Sequence, residues 1–235
     1  MSMIKRSSLS DQVTHELVAM IERQGIGVGS PLPSTGELAS QFGVSVVVIR
    51  EALSTLSGRG IIQRAQGKES VVARPGSEVL DSIFRTRMRQ DSITLDEFQH
   101  CRAALEQQAA AEAASGIHHA EALQTLGVHL EAMSHADNDE ALINADVAFH
   151  HSLAVLSGNR ALVLLLEGLH TFVSDSLTVM YERIGPRTRS SVELSISNHR
   201  EIAVAVQNGD RAGAIDAMRR HFETSSPHLD FNFCH

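Results

Sequence analysis

The sequence predicts a mainly α-helical chain with two domains, a winged helix-turn-helix over residues 1–76 and an all-α bundle of six or seven helices over residues 77–235. In the first part, two helical segments joined by a tight turn precede two short segments with strand character. In the second part, apolar residues recur at helical spacing without strand alternation. Hydrophobic residues make up 43% of the chain and aromatic residues only 4%, so Leu, Ile, Val and Ala supply most of the core.

Composition and charge narrow the class of protein. No apolar stretch is long enough to span a bilayer, and the first ten residues lack a signal-peptide pattern. Two cysteines are too few for a disulfide framework, so we expect a reduced, cytoplasmic compartment and no membrane contact. Residues 1–76 carry eight Lys and Arg against six Asp and Glu, whereas the remainder carries 12 against 22. This asymmetry is compatible with nucleic-acid contact by the first domain alone.

The first domain opens with a predicted amphipathic helix over residues 8–24, which Gly25 ends. Prolines follow and exclude regular structure before the next helix. Ser34 has the character of an N-cap, and Glu37, three residues on, is its capping-box partner. The second helix therefore begins directly after Ser34.

A tight turn links the second and third predicted helices. Gly43 ends the second helix, and Ser45 caps the third. This is the helix-turn-helix arrangement, whose second helix can lie in a DNA major groove with its first residues at the base edges. Residues 61–64 and 70–73 then form two strands around a turn at residues 66–68. This hairpin predicts the wing of a winged helix.

Four motifs within residues 32–53 identify a family. Leu-Pro-Ser, Glu-Leu-Ala, Phe-Gly-Val-Ser and Arg-Glu-Ala-Leu follow one another in a specific spacing. Residues 9–74 thereby resemble the head of the GntR superfamily of bacterial transcription regulators. The resemblance implies a double-stranded operator DNA partner. For Arg50 the structural alternative is a surface salt bridge to Glu51 or Glu22. The DNA-binding positions that we carry over from the family are Thr35, Ser45, Val46, Arg50, Gly67 and Lys68.

The head also departs from the family pattern. Residues 35–36 are Thr-Gly where the family usually has Glu-Arg, and Val46 stands where it usually has Arg. Glu69 replaces a wing glycine and adds a charge that phosphate repels. Of the basic family contacts, Arg50 and Lys68 remain. Because one bidentate arginine contributes about 1–3 kcal/mol of base discrimination, we expect an altered operator or weaker binding.

The second domain is predicted to be helical throughout. Capping boxes at Thr94 with Glu97 and at Asp137 with Glu140 begin two of the helices, and Asp210 caps the last one. We find no internal repeat. The predicted helices cover residues 78–89, 95–115, 118–134, 138–156, 160–183, 187–207 and 211–227.

A carboxylate and three imidazoles in this domain suit a divalent metal. Asp146 and His150 are one helical turn apart, beside the apolar stripe of their helix, where a charged Asp is costly without a partner. With 13 His in the chain, chance spacing is the alternative explanation. The histidines at 118, 119, 129, 135 and 170 are interpreted as surface or ordinary core residues. We name as the four-ligand group Asp146, His150, His199 and His221.

The second domain resembles the FCD ligand-binding domain of the FadR branch of the GntR superfamily. The resemblance rests on Arg102 with Glu106, on Asp146-x-x-x-His150, on residues 157–159 and on the two later histidines. It implies that the four-ligand group holds one divalent ion. It also implies that a small carboxylic acid reaches the open positions of the ion, with Arg102 as a carboxylate clamp. The alternative for Arg102 is a helix-surface pair with Glu106.

These observations together predict a transcription regulator, and specifically a repressor, that responds to a small organic acid. Two subunits would pair as a homodimer on a palindromic operator. Zn is the first choice of metal, and Ni, Co, Mn and Fe remain open. One alternative is a regulator that senses the ion itself. Another is a metal-dependent enzyme, against which we find no glutamate beside the ligands that could serve as a base.

Overall fold

The computed structural model describes residues 8–64, 69–90, 92–116, 120–170 and 188–225. The chain divides into two compact units, residues 1–79 and residues 80–235. Within the described residues, no helix combines the length and the apolar character that a membrane span requires.

The first unit is a winged helix-turn-helix, as the sequence predicts. Its elements in chain order are α1 (Leu9–Gln24), α2 (Thr35–Phe42), α3 (Val46–Gly58), β1 (Ile62–Gln63) and β2 (Val71–Val72). The two strands pair antiparallel, with Ile62 opposite Val72 and Gln63 opposite Val71. The turn of the wing at residues 65–68, which includes the predicted DNA contacts Gly67 and Lys68, lies outside the described residues.

Local sequence signals explain where these helices begin and end. Ser34 accepts a hydrogen bond from the backbone N–H of Glu37, and the Glu37 carboxylate accepts one from the backbone N–H of Ser34. Gly43 ends α2 with a positive φ of 65°, a conformation that glycine adopts without a steric penalty. Ser45 caps α3. Buried Leu17, Leu38, Ile49 and Leu56 then hold the three helices together.

Replacing Ser34 with alanine should lower the free energy of unfolding by about 1 kcal/mol, because the backbone N–H of Glu37 in the first turn of α2 loses its partner. Urea denaturation of the purified protein measures this change. Ser40→Ala on the same helix is the control, since Ser40 is exposed and caps nothing. Equal destabilisation by both substitutions would contradict a capping role for Ser34.

The second unit is an all-α bundle, also as predicted. Seven helices are present among the described residues from Glu78 onward, and the first of them begins two residues before the second unit. They are α4 (Glu78–Arg89), α5 (Leu95–Ser115), α6 (Ala120–Ser134), α7 (Asp139–Leu156), α8 (residues 160–170), α9 (Arg189–Gln207) and α10 (Arg211–Ser225).

Two predicted helix boundaries differ from the structure. The predicted capping box of Asp137 with Glu140 is wrong, because Asn138 caps α7 and its side-chain oxygen accepts from the Ala141 N–H at 2.8 Å. Asp137 and Asn138 are both good capping residues, and the pattern of apolar residues does not separate adjacent candidates. Thr188 caps α9, so this helix begins at Arg189 and not at 187. The predicted start of α6 at 118 lies outside the described residues, and α6 is described from Ala120 onward. Residues 171–187 of the predicted helices lie outside the described residues.

A continuous apolar core fills the space between α5, α6, α7, α9 and α10. Phe149 of α7 and Phe222 of α10 are its largest fully buried side chains. A second cluster joins α5, α7 and α8 around Phe98 and Leu166. The polar residues described next lie among these apolar side chains, so their charges are shielded from water.

Candidate functional site

Three helices of the bundle bring the four-ligand group together. Asp146 and His150 project from the same face of α7, one turn apart, while α9 supplies His199 and α10 supplies His221. The three histidines are buried, whereas the side chain of Asp146 is 19% exposed. One edge of the group therefore reaches solvent while the remainder is enclosed.

The ligand atoms of the group are close enough to share one ion. His199 Nε2 lies 3.0 Å from Asp146 Oδ1 and 3.3 Å from His150 Nε2. His150 Nε2 lies 3.9 Å from Asp146 Oδ2. One ligand atom from each of the four residues falls within 4.8 Å of the others. Ligands bonded to a common ion at about 2.0–2.2 Å lie roughly 3–4.4 Å apart, so the three separations among Asp146, His150 and His199 fit a single divalent metal.

The hydrogen bonds of two histidines direct their lone pairs into the centre of the group. His199 Nδ1 lies 2.8 Å from the backbone oxygen of Ser195, which can only accept, so Nδ1 carries the proton. His150 Nδ1 contacts the carboxylate of Glu106 and is protonated for the same reason. In rings that carry this single proton, both Nε2 atoms face each other and Asp146 as acceptors. An arrangement of acceptors without a donor favours a cation between them.

The electrostatics of the group keep its ligands available. Burial raises the pKa of Asp146, but a protonated His199 ring donates a hydrogen bond to the carboxylate, and this bond, with the charges of protonated His199, His150 and His221, brings the pKa of Asp146 below its usual range. Burial, then the neighbouring His199 and His150, lower the pKa of His221 well below its usual range. At neutral pH, Asp146 is therefore ionised and His221 is unprotonated, which are the forms that bind metal.

Arg102 is a buried residue of α5. The alternative of a pair with Glu106 on the helix surface is therefore wrong, because the pair lies inside the bundle. The ion pair itself exists, with Arg102 Nε donating to Glu106 Oε1 at 2.6 Å, but both side chains are enclosed. Arg102 also lies over the ring of Phe222, 5.1 Å from its centroid. Its Nη2 is buried and has no hydrogen-bond partner among the described residues. A buried guanidinium donor without a partner is suited to bind an anion that enters the bundle.

Sequence reasoning gave no role at the four-ligand group to two residues that lie beside it. Glu106 contacts both Arg102 and His150, so a glutamate does lie next to the group, but it is on the Nδ1 side of the His150 ring and is not placed as a base. His170 of α8 is a core residue, but its Nε2 lies 3.6 Å from Glu106 Oε1, which places it in the same cluster. Burial lowers the pKa of His170, and the contact with Glu106 only partly offsets this. The Arg102–Glu106 spacing was visible in the sequence, whereas contacts across helices were not.

Other histidines have ordinary roles. His129 Nε2 lies 2.9 Å from the hydroxyl of Ser152, and His151 Nε2 lies 3.0 Å from Glu167 on α8. His135 is exposed and contacts the backbone of its own helix. His118 and His119 lie outside the described residues. His151, the neighbour of His150, therefore points away from the four-ligand group.

The first unit carries the predicted DNA-binding positions that are described. Val46 and Arg50 lie on the exposed side of α3, with Ser45 at its cap, and Thr35 is half-buried at the start of α2. Val47 is more exposed, at 61%, and was not predicted. Among the described residues Arg50 forms no ion pair, so the salt-bridge alternative does not apply there. An exposed arginine follows two exposed valines at the beginning of the helix.

Comparison with known proteins agrees with both units. The model of the gntR family of bacterial regulatory proteins matches residues 9–72, and that of the FCD domain matches residues 97–224, more than half of the chain. The HTH-type transcriptional repressor NanR of Salmonella schwarzengrund (strain CVM19633) is 31% identical over 231 residues, which cover 95% of this chain and 85% of that protein. NanR of Citrobacter rodentium (strain ICC168) is 29% identical over 229 residues, with 95% and 86% covered.

A solved structure resembles the chain as well. That of a GntR protein from Streptococcus agalactiae is 26% identical, with a TM-score of 0.73, and the match covers 94% of this chain and all of the other. The resemblance predicted from the motifs of the head and from the residues of the body is therefore confirmed. The chain belongs to the GntR family of bacterial regulatory proteins and carries an FCD domain as its second unit.

Proposed function

We propose that this protein is a DNA-binding transcriptional repressor whose operator binding is controlled by a small organic acid. The acid would bind at a divalent metal held by the four-ligand group. One observation carries the proposal, namely the convergence of two Nε2 lone pairs, a third imidazole and one carboxylate inside the helical bundle. Such a group is costly to bury without a cation.

The donor set supports the choice of metal. Three nitrogen ligands and one oxygen ligand suit Zn first, and also Ni, Co, Mn or Fe. Four protein ligands leave a coordination position for an external oxygen in a five- or six-coordinate ion. Bound in this group, the ion would supply a Lewis acid that attracts a carboxylate oxygen. Arg102 would bind the other end of the acid through Nη2, for which the described part of the chain supplies no hydrogen-bond partner.

The head supports operator recognition. Helix α3 exposes Arg50 for phosphate or base contacts, and Val46 and Val47 for apolar contact with thymine methyl groups. The relatives from Salmonella and Citrobacter are named as repressors, which supports repression here. Two copies of the chain would form a homodimer that places two α3 helices on a palindromic site.

The enzyme alternative has less support. Family membership points to a regulatory protein, and Glu106 is held by Arg102 and by the Nδ1 side of His150, on the opposite side of the ring from the ligand atom. A base at a metal centre has to reach a substrate or water at the open position of the ion. Direct sensing of the ion remains the second candidate, because the same four-ligand group would serve it.

Binding to duplex DNA from the genomic neighbourhood of the gene tests the proposal. Fluorescence anisotropy is measured across salt with a scrambled duplex for comparison, in metal-loaded and chelator-treated protein, with and without candidate carboxylic acids. We expect specific binding that an acid weakens about 5- to 150-fold, corresponding to a coupling of about 1–3 kcal/mol, only in metal-loaded protein.

A pair of variants assigns that response to the four-ligand group. Asp146→Asn should lose the response to acid, whereas Asp139→Asn, in the exposed first turn of the same helix, should keep it. A DNA response to metal alone would favour direct metal sensing. Binding that does not distinguish the two duplexes would contradict the regulator proposal.

A further inference from the structure

Glu106 uses its two carboxylate oxygens on two different partners in the buried core. Oε1 accepts from Arg102 Nε at 2.6 Å, and Oε2 contacts His150 Nδ1. Its side chain is only 1% exposed, so no water competes for these contacts. One residue of α5 therefore connects the anion clamp of the proposed site with a ligand of the proposed metal.

We propose that Glu106 is a positioning residue for the metal site. Its carboxylate holds the His150 ring in the tautomer and orientation that point Nε2 at the four-ligand group, and it holds Arg102 through its other oxygen. The inference rests on the proposed function, because it presupposes that the four-ligand group binds metal. Glu106 itself does not touch the ion or the acid.

Two physical effects follow from a carboxylate behind a metal-binding imidazole. The hydrogen bond restricts rotation of the ring, which reduces the entropy lost when the ion binds, and it increases the electron density that Nε2 offers to the ion. Loss of such an outer partner typically weakens metal binding 10- to 100-fold. The alternative role of Glu106 is a structural ion pair with Arg102 alone, which predicts no effect on the tautomer of His150.

Glutamine cannot replace Glu106 at both contacts. Its side chain offers one oxygen that accepts and one nitrogen that donates, whereas Arg102 Nε–H and His150 Nδ1–H are both donors. A donor would therefore face a donor at one of the two contacts. Glu106→Gln thus removes the double contact with almost no change in side-chain volume.

The affinity of the full chain for Zn²⁺ alone, measured by competition with a chromogenic chelator, tests the inference. We expect Glu106→Gln to bind Zn²⁺ 10- to 100-fold more weakly than the wild type. Glu112→Gln is the matched control, since Glu112 lies on the same helix and also binds two partners, Gln108 and Asn159, away from the metal ligands. Equal affinities of wild type and Glu106→Gln would overturn the inference.

A second variant and a second measurement separate positioning from folding. Glu106→Gln leaves Arg102 buried without a counter-charge, which is destabilising, so Arg102→Met combined with Glu106→Gln removes both members of the pair. The double variant should fold and still bind Zn²⁺ at least 10-fold more weakly than the wild type. In Zn²⁺-loaded wild type, ¹⁵N NMR should show a protonated His150 Nδ1. A metal-bound or unprotonated Nδ1 would overturn the inference, whereas wild type that binds no Zn²⁺ would contradict the proposed function itself.

Discussion

His150→Gln is expected to lose more than about a hundredfold in Zn²⁺ affinity, since loss of an outer partner of a ligand alone costs 10- to 100-fold. The substitution removes the imidazole nitrogen Nε2 of His150, which lies 3.3 Å from His199 Nε2 at the centre of the four-ligand group. His151→Gln is expected to bind Zn²⁺ as the wild type does. His151 is adjacent in sequence but contacts Glu167 on the outer side of α7.

The same pair of variants predicts a difference in thermodynamic stability. At a Zn²⁺ concentration of a hundred times the wild-type Kd, ligand linkage raises the free energy of unfolding by about 2.7 kcal/mol. For a variant that binds a hundredfold more weakly, the same concentration adds only about 0.4 kcal/mol. Denaturant unfolding with and without Zn²⁺ measures both values, and each variant without metal serves as its own reference.

The same stabilisation measurements can contradict the metal site. If Zn²⁺ stabilises wild type, His150→Gln and His151→Gln to the same extent, the ion binds elsewhere on the chain. If His151→Gln alone loses the stabilisation, the orientation of α7 described above is wrong. Circular dichroism of the three metal-free proteins shows whether the substitutions leave the helices intact.

Much of the fold could be predicted because its signals are local. The capping box of Ser34 with Glu37 and that of Thr94 with Glu97 lie within single turns, and both are present as predicted. The start of α7 was misplaced by one residue because Asp137 and Asn138 are both capping residues. Only the backbone conformation, extended at Asn138, selects between them. Such a choice depends on the path of the chain between α6 and α7.

The sequence predicts the four candidate metal ligands, but it does not predict which other side chains surround them. Spacing placed Asp146 and His150 on one face of a helix, and their grouping with the two histidines of α9 and α10 rested on ligand chemistry and was strengthened by the family resemblance. The role of Glu106 depends on how closely α5 packs against α7, and that of His170 on how α8 approaches the same core. No periodicity within one helix encodes those distances. Burial of Arg102 was likewise hidden, because its helix has alanines on several faces.

We expect operator binding to depend more strongly on Arg50 than on any other residue in the described part of the head. Arg50→Ala is expected to weaken specific DNA binding by about 1–3 kcal/mol, which is roughly 5- to 150-fold, if the guanidinium contacts a base edge. Gly36 and Val46 stand where the family usually has arginine, so fewer cationic side chains are available to contact DNA and each one contributes more. Anisotropy titrations with specific and scrambled duplexes measure the loss.

The salt dependence of the same titrations distinguishes the two ways in which Arg50 can contact DNA. A base contact predicts that Arg50→Ala loses affinity for the specific duplex while binding to the scrambled duplex changes little. A phosphate contact predicts a similar loss on both duplexes and a salt slope lower by about one. Arg23→Ala is the charge-matched control, because Arg23 is an exposed residue of α1 that pairs with Glu16 at 3.6 Å. If Arg23→Ala and Arg50→Ala weaken binding equally, general charge attracts the DNA, and α3 does not read it.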